Sequence, residues 1–264
     1  MKINWRNLLM VLFASSFVLT SCKKDEEPEP VVPTVPANEV GMFKIEFEHM
    51  FNSSAFALNT EYTNGAGEQV TWTRLDYYIT NVQLVKTDGT IWSEPNSYHL
   101  IKSNEAASQL LTISNVPKAE YTDVRFCIGV DSTRNVSGAQ TGALDPANDM
   151  FWSWNNGYIF VKSEGTSPQA SGGNYSYHIG GFRTDNGSNV VTALSYNVGS
   201  TPMNVRPAAA PQVHFMVDMS KFFNGDSGDN LSVASMQMVH MPGANAVSIM
   251  NRFKNAFQFE HLHN

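Results

Sequence analysis

Apolar and polar residues alternate with a period of two through most of the chain after Val40. Successive side chains of a strand point to opposite faces, so each alternating run marks a strand with one buried face. Phe43, Ile45 and Phe47 alternate with Lys44, Glu46 and Glu48, and Leu75, Tyr77 and Ile79 repeat the pattern. Val82 and Leu84 lead to a hairpin turn at Asp88-Gly89, after which Ile91-Trp92 resumes. Further strands are expected around Val124–Val130, Tyr175–Ile179, Val190–Leu194 and Val213–Met219. The unbroken apolar run Tyr158–Val161 reads as a strand covered on both faces. Helical signals are confined to short turns near Asn104–Leu111 and Ser248–Lys254. Many short strands with turn signals between them predict an all-β fold, an antiparallel β-sandwich of immunoglobulin-like or related type with long loops.

Two of these runs finish in histidine. Strand alternation puts Phe257, Phe259, His261 and His263 on one face, and the run from Phe43 ends in the same way at His49. In immunoglobulin-like sandwiches the first and last strands often lie side by side in parallel. That pairing would gather His49, His261 and His263 at one rim; an antiparallel pairing would separate them. Clustered neutral imidazoles suit copper or zinc. Other candidates are His178, on the face opposite Tyr175, Tyr177 and Ile179, and the soft set Met236, Met238 and His240. His214 alternates away from Val213 and Phe215 and is expected to face solvent.

The ends of the chain bear on where it works. Lys2 and Arg6, the short apolar run Leu8–Leu19 and Leu19-Thr20-Ser21-Cys22 form a secretory signal over residues 1–21 that resembles a bacterial lipobox. Cleavage before Cys22 would put lipid on that cysteine and make the membrane a partner through the anchor. Residues 22–39, rich in Pro and Glu, read as an extended, solvated tether, with one domain over 40–264. With Cys22 lipidated, Cys127 stands alone and no intramolecular disulfide is expected. The chain has 264 residues and a net charge of −7, with no basic stripe, so nucleic acid is not an expected partner.

The central block holds Gly129-Val-Asp-Ser-Thr, Leu144-Asp-Pro-Ala-Asn, Met150-Phe-Trp-Ser-Trp-Asn-Asn-Gly-Tyr158 and Tyr177-His-Ile-Gly-Gly-Phe182. Together these resemble the copper-binding MbnP-like domain, named for methanobactin-associated periplasmic proteins, over most of residues 40–264. The resemblance implies an extracytoplasmic β-rich domain with copper-binding members. It also implies a site of histidine with a tryptophan oxidised to kynurenine, in a His-x-Trp arrangement near the domain start. Here that arrangement falls on His49-Met50-Phe51. Phenylalanine has no indole to oxidise, so a kynurenine ligand is not expected at Phe51, nor a haem enzyme partner to make it.

The expectation is an envelope lipoprotein, periplasm-facing or surface-exposed on the outer membrane, that binds copper for scavenging, storage or delivery. Its nominated ligands are His49, His261, His263 and, less centrally, His178. The alternative is a surface module for a glycan or protein, with Trp152 and Trp154 as anchors or else as core aromatics. Asp145, Asp149, Asp226 and Asp229 are accounted for by turns, since none has EF-hand spacing. No Gly-x-Ser-x-Gly, His-Glu-x-x-His or phosphate-binding glycine loop occurs, and no enzyme is expected.

Overall fold

A computed structural model describes residues 39–154, 157–183, 187–226 and 228–264. The expected signal segment, Cys22 and the tether up to residue 38 lie outside the described residues. The first strand, β1 (Val40–Phe51), carries the alternation of its sequence into three dimensions. Phe43, Ile45 and Phe47 are fully buried, and His49 and Phe51 continue the same face inward. Beyond it the principal strands are β2 (Gln69–Lys86), β3 (Tyr98–Lys102), β4 (Leu110–Pro117), β5 (Ala119–Ile128), β6 (Val161–Thr166), β7 (Asn174–Ile179), β8 (Thr192–Asn197), β9 (Gln212–Asp218), β10 (Met238–Val239) and β11 (Phe257–His263).

These strands form two principal sheets. The smaller runs β11, β9, β1 and the short strand Ser54–Ala55, with β4 also paired to β1. The larger runs β8, β5, β2, β6, β7 and β10, with β3 and shorter strands also paired to β2 or β5. β2 is long enough to pair β6 along its first half and β5 along its second. Most pairings are antiparallel, as expected of a β-sandwich, but β1 with β9 and β7 with β10 are parallel.

Aromatic rings hold the sheets face to face. Phe47 of the smaller sheet meets Tyr77 and Phe126 of the larger edge-on, and Phe215 and Phe257 meet Phe126 in the same manner. Such edge-to-face pairs add about 0.5–1.5 kcal/mol each to the burial of their apolar area. Short helices α1 (Ser132–Val136) and α2 (Ser220–Phe223) sit in connections. The segment expected to form a turn at 248–254 is instead the last part of a ten-residue helix, α3 (Ala244–Phe253). Its residues Ala246, Ile249, Met250 and Phe253 are buried, a spacing of three and four that a search for strand alternation passes over.

Candidate metal centre

The first and last strands are not neighbours: β9 lies between β1 and β11. β9 runs parallel to β1 and antiparallel to β11, so β1 and β11 point in opposite directions. His49 stands level with Val217, whose partner on β11 is Phe257, whereas His261 stands level with His214. His49 is therefore separated from His261 by an intervening strand and by three residues along it, about 10 Å at the rise of a strand. The two also point to opposite faces of the sheet.

That difference of face originates in a β-bulge. The register slips between His214 and Phe215, where Phe259 pairs with Phe215 and His261 pairs with His214. Glu260 is the extra residue. Phe257 and Phe259 stay on the core side, Leu262 joins them opposite Val213, and His261 and His263 turn outward beside His214 and Gln212. Without the bulge, two imidazoles would be pressed into an apolar core and Leu262 would face water. The extra residue removes that conflict. The expected single face for Phe257, Phe259, His261 and His263 is thus replaced by two faces. Leu262, out of phase with the two phenylalanines, was the available sign.

On this outer face His214, Glu260 and His261 offer ligand atoms that all lie within 4.8 Å of one another. His214 Nδ1 is 2.7 Å from Glu260 Oε2, and the rings of His214 and His261 stack at 4.7 Å. His214 Nε2 faces two further carboxylates from β1, at 3.8 Å from Glu46 and 3.7 Å from Glu48. His261 divides its nitrogens. Nδ1 is 3.7 Å from Glu260, and Nε2 is 2.9 Å from Nε2 of His263. That spacing is an ordinary N–H···N hydrogen bond, in which one ring donates and the other accepts. Imidazole and carboxylate donors in a field of surrounding carboxylates suit a divalent transition metal. His214 does face outward as its phase requires, yet it is buried beneath its neighbours rather than free in solvent.

The other nominated residues lie elsewhere. His49 is enclosed, with Nε2 3.1 Å from the Tyr77 hydroxyl and Nδ1 3.3 Å from Gln109 Oε1. Burial pushes its pKa down to about 4, the Gln109 contact opposing that shift, so its ring is neutral at pH 7. An oxygen that can only accept fixes the proton on Nδ1, leaving Nε2 to accept from Tyr77. Phe51 stacks on Tyr62 at 4.3 Å and meets Trp72 edge-on, as part of the core. His178 lies on the larger sheet, hydrogen-bonded to Glu164 at 2.6 Å and stacked on His240 at 4.2 Å. Trp152 is buried and Trp154 is 61 % exposed, and both line a cavity of about 510 Å³ together with Tyr158, Phe182 and Met241. Cys127 is half-buried, and burial raises its pKa, which keeps it a thiol.

Comparison with known proteins adds a relationship to this geometry. MbnP from Methylosinus trichosporium is similar in structure at 12 % identity, with a TM-score of 0.44, over 70 % of this chain and 78 % of that one. No curated protein sequence matches. A family model described as MbnP matches residues 40–241, from β1 through β10. α3 and β11 follow that segment, so Glu260, His261 and His263 stand outside it while His214 stands within. A match over so much of the folded region places this chain in the MbnP family.

Proposed function

We propose that this chain is an envelope lipoprotein that binds a transition metal, copper, at His214, Glu260 and His261, with His263 beside them. It would serve in scavenging, storage or delivery, as a binding protein without a catalytic step. The observation that carries the reading is the convergence of two imidazoles and a carboxylate within 4.8 Å on one sheet face. Copper is favoured over zinc by the resemblance described above, since imidazole and carboxylate donors alone suit either ion. Lipid on Cys22 would hold the domain at the membrane.

The test is Cu(II) titration of the full chain, followed by electron paramagnetic resonance. One equivalent with nitrogen splitting from imidazole is expected in the wild type, and its loss in His214→Ala/His261→Ala. No nitrogen-coordinated Cu(II), or an unchanged spectrum in the double variant, would remove this site.

A further inference from the structure

The proposed metal site makes no use of the cavity of about 510 Å³ that Trp152 and Trp154 line. Trp152 lies on a two-residue strand, Phe151–Trp152, which pairs antiparallel with Gly157–Tyr158, and Trp154 follows in the turn. Gly180, just past β7, closes on this hairpin. A side-chain carbon there would stand 2.7 Å from the Trp152 ring and 2.6 Å from the Tyr158 carbonyl oxygen, so only glycine lets the indole lie against the backbone. Asn135 ties α1 to the same hairpin. Its amide donates to the Asp131 carbonyl at 3.0 Å, and its oxygen accepts from the Tyr158 backbone N–H at 2.9 Å. Two of the segments that carry the family resemblance thus meet here, one through Trp152 and Tyr158 and the other through Gly180. Neither supplies a donor to the cluster of His214, Glu260 and His261.

The wall of the cavity is apolar where it is open. Of the four large apolar side chains more than 60 % exposed among the described residues, three line it: Val136 at 69 %, Met241 at 64 % and Trp154 at 61 %. One exposed apolar residue is ordinary, but three around a single concavity mark a binding surface. Phe182 and the buried Trp152 extend the same wall. The indole N–H of Trp152 is buried without an acceptor among the described residues, a costly state for a donor. Arg183 is the one charged side chain of the described lining, and its guanidinium lies over the Phe182 ring at 5.8 Å from the centroid. The polar side chains Asn135 and Tyr158 are committed to the protein, the Tyr158 hydroxyl donating to the Leu144 carbonyl at 2.9 Å. A sugar would need such groups free to read its hydroxyls. A cavity of this volume suits a small molecule.

We propose that this cavity binds a small aromatic carboxylate, with its ring on the wall of Trp154, Phe182 and Met241 and its carboxylate on Arg183. A flat ring matches a wall of indole, phenyl and thioether groups, and a carboxylate matches the one cation beside them. The anion also brings acceptor oxygens to a wall whose Trp152 N–H lacks one. An aliphatic acid would share the charge but not the stacking. This inference stands apart from the metal reading, because the two sites share no residue.

Calorimetric titration of the metal-free full chain with naphthalene-1-carboxylate tests it, with naphthalene-1-carboxamide, decanoate and cellobiose as comparison probes. One equivalent of the carboxylate is expected to bind, about tenfold more tightly than the neutral carboxamide. Arg183→Gln is expected to bring the two to one affinity, and Trp154→Ala to weaken both about tenfold. Both side chains are exposed, so neither change empties the core. His214→Ala/His261→Ala is expected to bind the carboxylate as the wild type does, and loss of binding there would overturn the placement. Absence of saturable binding, or an affinity unchanged in Trp154→Ala, would overturn the site. Equal affinities for carboxylate and carboxamide in the wild type, or tighter binding of decanoate or cellobiose, would overturn its assignment to an aromatic anion.

Discussion

His49 shows how one enclosed imidazole can set the acid limit of a domain. Its folded pKa of about 4, against an ordinary 6.5, means that the unfolded chain binds a proton between those values and the folded chain does not. Stability from this group is therefore complete above pH 6.5 and is lost as the pH falls towards 4, by up to about 3 kcal/mol. His49→Gln keeps a hydrogen-bonding partner for Tyr77 but cannot titrate, so the slope of stability against pH over that window is expected to flatten. Urea midpoints at pH 7, 5 and 4 for both proteins measure it, and parallel slopes would assign the acid sensitivity to other groups. The face of His49 was legible in the alternation of β1. Its environment was not, because the groups that tie it down, Tyr77 and Gln109, come from positions 28 and 60 residues away. Whether an imidazole on a strand is a ligand or a core group depends on what stands opposite, and alternation along one strand cannot name it.

At the scale of the strand, a single bulged residue decides whether β11 turns His261 and His263 towards the proposed metal site. Alternation read along Phe257–His263 gives one face, and the pairing with β9 gives two, because Glu260 absorbs a step of the pleat. Deletion of Glu260 isolates this contribution. The shortened strand would keep Phe259 opposite Phe215 and His261 opposite His214 by plain alternation, with Leu262 still inward. Stability is expected to change by only about 1 kcal/mol, in line with a substitution that empties no part of the core. Cu(II) affinity is expected to fall about 10- to 100-fold, the usual cost of removing a carboxylate that binds or orients a metal-bound imidazole. Thermal unfolding and competitive Cu(II) titration of the deletion variant separate the two effects. A collapse of stability would mean that the bulge is needed by the fold, and an unchanged affinity would mean that the carboxylate is not needed by the ion. The sandwich itself was legible in the apolar alternation. The position of β9 between the first and last strands was not, since parallel pairing of β1 with β9 joins segments some 170 residues apart that carry no mutual signal.

For the whole molecule, the aromatic core and the proposed anchor can be separated. Among the described residues, Phe47, Tyr77, Phe126, Phe215 and Phe257 join the two sheets, all of them well beyond the proposed anchor in the chain. The anchor rests on the signal-like start and on Leu19-Thr20-Ser21-Cys22. Each buried methylene of an acyl chain contributes about 0.8 kcal/mol, so two or more chains on Cys22 would hold the protein at the membrane for its working life. A tether over Lys23–Pro36, as the sequence predicts, would then let the proposed metal site move away from the surface. Metabolic labelling with a clickable palmitate analogue, in the native type of host, is expected to mark the wild-type chain and to leave Cys22→Ser unmarked. The unlabelled variant, once purified, is expected to bind Cu(II) as tightly as the wild type. A wild-type chain without label would remove the anchor and leave the copper site standing, whereas loss of Cu(II) binding in Cys22→Ser would show that the two are coupled in a way the core gives no reason for.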